Sequence, residues 1–129
     1  HLLFDALIAV PLGTVLVEEV AFRGVLPAIF ERRWGARTAV AASAGLFGLW
    51  HGLPAWTLGR ANAGLRDALP GTAGRLVTVA GGVAGTAAVG VGFSWLRRRS
   101  GSLLAPVLLH TSTNSLGYLL AWALRRWRG

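Results

Sequence analysis

Residues 76–96 read LVTVAGGVAGTAAVGVGFSWL, a run without a single charged residue. A helix needs roughly 20 apolar residues to cross the hydrocarbon core of a bilayer, and this run supplies them. Arg75 stands before it and Arg97, Arg98 and Arg99 follow it, where arginines hold a spanning helix at the head groups. Gly81, Gly82, Gly85, Gly90 and Gly92 lie inside it, so a neighbouring helix can approach its backbone. Gly81 and Gly85 have the four-residue spacing of small-residue packing between membrane helices.

Three further segments read as helical around this one. Downstream, Ser102 is a good N-cap and Pro106 falls in the first turn or so, where its missing N–H costs little. That segment runs uncharged to Leu124 and ends at Arg125, Arg126 and Arg128, with Tyr118, Trp122 and Trp127 nearby as interface aromatics. Upstream, residues 38–53 are apolar but short of a full crossing, so this helix is expected to stop part-way or to end at a cavity. Pro54 is expected to end it, and residues 55–74 read as a polar, glycine-containing connection. A short amphipathic piece is expected at 65–69. The first segment covers 2–29, with Pro11 and Pro27 bending or ending it, and a loop at 31–37 follows.

Composition agrees with lipid as the solvent. Hydrophobic residues make up 53% of the 129 and charged residues 14%, against about a quarter charged in soluble domains. All thirteen basic residues are arginines and the formal charge is +8. Most of them cluster at the ends of apolar runs, which points to a lipid bilayer as the partner and away from nucleic acid. Four crossings put the loops at 31–37 and 97–101 on one side, but the arginines divide evenly between the two sides and leave orientation open. Without cysteine, no disulfide framework or thiolate metal site is available. The expected fold is an all-α polytopic transmembrane bundle of about four helices. It forms a single domain over 1–129, and the apolar start suggests excision from a longer membrane protein.

In such a fold the polar residues need a reason. An ionisable group at the centre of a membrane helix costs about 2.5–3.5 kcal/mol. Glu18, Glu19 and Arg23 interrupt the first segment, His51 comes late in the second, and His110 and Asn114 lie midway along the fourth. Arg23, four residues after Glu19, can pair with it. Glu18 is turned about 100° away and is left without that partner. His110 and Asn114 share a face, and Phe47 sits one turn before His51. Taken singly, each histidine reads as a satisfied core residue, and Asn114 as interhelical glue.

Three pieces in order, Glu18-Glu19-x-x-x-Arg23, Phe47-x-x-x-His51 and His110-x-x-x-Asn114, resemble the motifs of the CPBP family. That family takes in CAAX prenyl proteases of the Rce1 type and bacteriocin-processing or immunity proteins, also called the Abi family. The flanks agree: Arg23-Gly24, His51-Gly52 and Gly101-Ser102-Leu103. The resemblance implies an intramembrane endopeptidase acting on a peptide or protein that enters from the membrane. The substrate would be a prenylated CAAX-type C-terminus or a peptide precursor. It implies that Glu18 and His51 activate the attacking water, that His110 and Asn114 stabilise the oxyanion, and that Glu19, Arg23 and Phe47 support them. A metal-free mechanism is favoured. The alternative is a zinc enzyme with Glu18, His51 and His110 as ligands. Two other classes compete with it: a catalytically silent scaffold or immunity protein, and a proton or ion carrier.

Overall fold

The computed structural model describes residues 1–127; Arg128 and Gly129, the former from the last arginine cluster, lie outside the described residues. Helix α1 covers 2–34, α2 covers 36–50, α3 Gly52–Ala61, α4 Ala63–Ala68, α5 Gly71–Ser100 and α6 Leu104–Trp127. No strand occurs among the described residues. The class is all-α, with four long helices and two short ones.

Neither proline ends α1. Pro11 opens a π-helical turn, Pro11–Val15, and Pro27 follows the π-helical stretch that begins at Val20, its missing N–H leaving a carbonyl of the preceding turn without a helical donor. A further π-helical stretch, Val20–Val25, follows Glu19 directly. Wide turns of this kind free backbone carbonyls. The Phe22 carbonyl accepts the hydroxyl of the fully buried Ser43, tying α1 to α2. The expected loop at 31–37 is helical except at Gly35, whose φ of 77° only glycine adopts without strain.

Helix α2 stops at His51, not at Pro54. His51 leaves helical geometry (φ −88°, ψ 4°), and Pro54 sits harmlessly in the first turn of α3. The connection expected at 55–74 is therefore largely helical, with Asn62 capping α4 by accepting the Leu65 N–H at 3.1 Å. Helix α5 begins at Gly71, four residues before Arg75, and ends at Gly101 (φ 68°). Ser102 caps α6 through the Leu104 N–H, as expected. Arg98 forms two contacts with Glu31 (3.1 and 3.2 Å), which places the ends of α1 and α5 side by side.

Close packing uses glycines other than the pair expected. A Cβ on Gly48 would strike the Val83 carbonyl, and one on Gly82 would come within 2.6 Å of the Ala55 methyl. Gly81 and Gly85 have open space beside them. Outside, α5 is long and apolar enough to cross a membrane, and only 11% of its most apolar stretch is buried. A soluble core helix would be mostly covered.

Candidate active site

Glu18, Glu19, Arg23 and His110 are all buried, at 6%, 0%, 4% and 5% exposure. Four ionisable groups withdrawn from solvent in so small a bundle must compensate one another. Arg23 lies 3.1 Å from Glu19 Oε1, close in distance but not aligned as a hydrogen bond. Its guanidinium lies between two rings, 3.9 Å from the centroid of Phe47 and 5.0 Å from that of Phe93. This is the pair that helical spacing anticipates, and it survives the π-helical stretch.

Glu19 does more than pair with Arg23. Its Oε1 also lies 2.8 Å from Nδ1 of His110. The carboxylate accepts, so Nδ1 carries a proton. His51 is fixed in the same way: its Nδ1–H donates to the Phe47 carbonyl at 2.9 Å. Each ring therefore turns Nε2 inward, and both nitrogens meet one oxygen. Oε2 of Glu18 is 4.0 Å from Nε2 of His51 and 3.8 Å from Nε2 of His110. That oxygen is buried and has no hydrogen-bond partner, whereas its twin, Oε1, accepts the indole N–H of Trp50 at 3.0 Å.

Phe47, itself 1% exposed, packs edge-on to the His51 ring at 4.6 Å and to the His110 ring at 5.9 Å. A cavity of about 350 Å³ opens beside the histidines, with Phe47, Asn114, Gly81 and Gly85 also in its walls. Glu18 is not in those walls and reaches the site through its contacts with the two Nε2 atoms. Asn114 shares the cavity with both histidines. His51, at the end of a helix too short to cross, thus faces a cavity, one of the two outcomes its length allowed.

The three motifs are brought together by three helices: Glu18 on α1, His51 after α2, His110 on α6. Trp50 was not singled out by the sequence, because no spacing rule links it to a carboxylate on another helix. The adjacent π-helical stretch and the bond from Glu19 to His110 were equally invisible. Among the described residues, no three histidine, aspartate or glutamate side chains are arranged to hold a metal ion. A tetrahedral zinc about 2.0–2.2 Å from its donors draws them to about 3.4 Å of one another. The separations of 3.8 and 4.0 Å here are wider.

No curated protein and no solved structure matches the chain. A family match covers nearly all of it: the model for type II CAAX prenyl endopeptidases, Rce1-like, fits residues 2–116, all three motifs included. The chain belongs to the Rce1-like family of type II CAAX prenyl endopeptidases, a family of membrane-embedded proteases.

Proposed function

We propose that this chain is a multi-pass intramembrane endopeptidase in which Glu18 and His51 activate water while His110 and Asn114 receive the oxyanion. The observation that carries this reading is the meeting of two inward Nε2 atoms with the unpartnered Oε2 of Glu18. With both rings neutral, three lone pairs face one point with no donor between them. Such a point favours a water, which donates two hydrogen bonds, or an added proton on one ring.

Water held there loses a proton to Glu18 as its oxygen attacks the scissile carbonyl carbon. The carbonyl oxygen becomes an oxyanion. His110 meets it through an N–H on the inward Nε2, the added proton named above, with Glu19 holding Nδ1 from behind. Asn114, in the same cavity, offers its amide N–H. The C–N bond then breaks as Glu18 returns its proton to the leaving nitrogen, and the carboxylic acid and the amine depart.

Each step above is carried by this chain's own groups. A chelator at millimolar concentration is therefore expected to leave turnover within about twofold, and complete loss restored by zinc would replace this mechanism. Glu18→Ala is expected to lower turnover by about 10²–10⁴. The assay uses purified protein in detergent, with a prenylated CAAX peptide and an unprenylated peptide as substrates. Retained activity removes Glu18 from the chemistry. Which peptide is cut identifies the substrate class, for which the family favours the prenylated one.

A further inference from the structure

Arg23 has an unexplained side. Apart from Glu19, its Nε and both terminal nitrogens have no hydrogen-bond partner, although the residue is 4% exposed. A buried charged donor left unmade is costly and calls for a partner. Its free edge lines a cavity of about 240 Å³, distinct from the one beside the histidines. Arg97 and Arg98 line the same cavity, and Nε of Arg97 is also buried and unpartnered. Arg98 is neutralised by Glu31, the one carboxylate in these walls. Ser94 spends its proton on the Gly90 carbonyl and cannot donate inward.

We propose that this cavity is a binding site for a phosphate group, contacted by Arg97 and, at its floor, by Arg23. Planar guanidiniums suit phosphate oxygens in pairs. The volume accommodates such a group with several waters, each taking about 30 Å³ in the liquid. Its mouth lies where α5 runs out into Arg97–Arg99 and α1 reaches Glu31, the level of lipid head groups. Arg23 lies eight residues before Glu31, about 12 Å along the helix axis. The phosphate of an anionic lipid is the source at hand, and free phosphate carries the same chemistry. Neither Arg97 nor the cavity touches the histidines, and Arg23 reaches them only through Glu19, so binding is read without reference to turnover.

Binding is measured by thermal-shift titration and native mass spectrometry of the purified protein in neutral detergent, without peptide substrate. The probes are dioctanoyl phosphatidylglycerol and inorganic phosphate. Wild type is expected to bind phosphatidylglycerol saturably, one molecule per chain. Arg97→Gln is expected to weaken it tenfold or more. Ala28→Phe, which plugs the cavity without changing charge, is expected to abolish it, while Arg33→Gln, outside the cavity, has no effect. Saturation by inorganic phosphate as well assigns the site to phosphate in general, and saturation by the lipid alone assigns it to a head group. No saturable binding of either probe overturns the proposal. So does binding equally strong in Arg97→Gln and Ala28→Phe.

Discussion

Glu18 and Glu19 are neighbours in sequence with opposite attachments. Glu19 holds a guanidinium and an imidazole, and replacing it by Gln leaves Arg23 buried without its counter-charge. Breaking a buried pair from one side costs about 3–5 kcal/mol, so Glu19→Gln is expected to unfold well below wild type in detergent. Glu18→Gln keeps the acceptor for Trp50 and gives the inward imidazole nitrogens an amide donor they lack. Its stability is expected to equal or exceed wild type while turnover collapses. Matching melting curves for the two variants would contradict this division. The division itself was legible: one carboxylate has an arginine four residues on, and the other does not. What stayed hidden was the reach of Glu19 to His110, 91 positions away, because periodicity along one helix carries no information about a contact to another. Trp50→Phe isolates the other hidden contact. Trp50 is 63% exposed, so losing its N–H is expected to change stability by about 1 kcal/mol or less and turnover more visibly.

Between helices the controlling quantity is how near two backbones can come. The sequence marks α5 as glycine-rich but does not say which glycines meet a neighbour, since every one satisfies the same small-residue rule. Gly48 on α2 meets the Val83 backbone directly, whereas Gly85 faces the cavity beside His51 and His110. Gly48→Ala is expected to cost about 1–3 kcal/mol through overpacking. Gly85→Ala is expected to leave the melting temperature unchanged, and Gly85→Leu to keep the fold but narrow the space before the histidines and slow turnover of a bulky peptide. A stability loss at Gly85 comparable to that at Gly48 would put a helix where the cavity is. Helix ends were read less well than helix centres. Prolines tolerated in first turns or at π-helical turns look the same in sequence as prolines that stop a helix.

Taken whole, the molecule inverts the soluble pattern. Thirty large hydrophobic side chains are exposed, while the buried apolar set is six residues, three of them alanine, among the described residues. Seven polar or charged residues are buried beside them. A surface of that kind calls for an apolar covering, and lipid tails suit both the family and the long apolar α5. Whether the chain crosses several times can be tested through how its ends are arranged. Glu31 and Arg98 bond to each other, so the α1–α2 junction and the α5–α6 junction share a face of the bundle. Helix α2 spans fifteen residues (36–50), about 22 Å at 1.5 Å per residue, less than the roughly 30 Å core. His51 is then expected to lie within the membrane depth, with α3 and α4 carrying the chain on toward the opposite face. Native cysteine is absent, so single cysteines introduced for Arg33, Arg99 and Asn62 report cleanly in sealed vesicles. A membrane-impermeant maleimide is expected to label positions 33 and 99 from one side and position 62 from the other. Labelling of 33 and 99 from opposite sides would overturn the proposed multi-pass arrangement, because the Glu31–Arg98 pair could not then form.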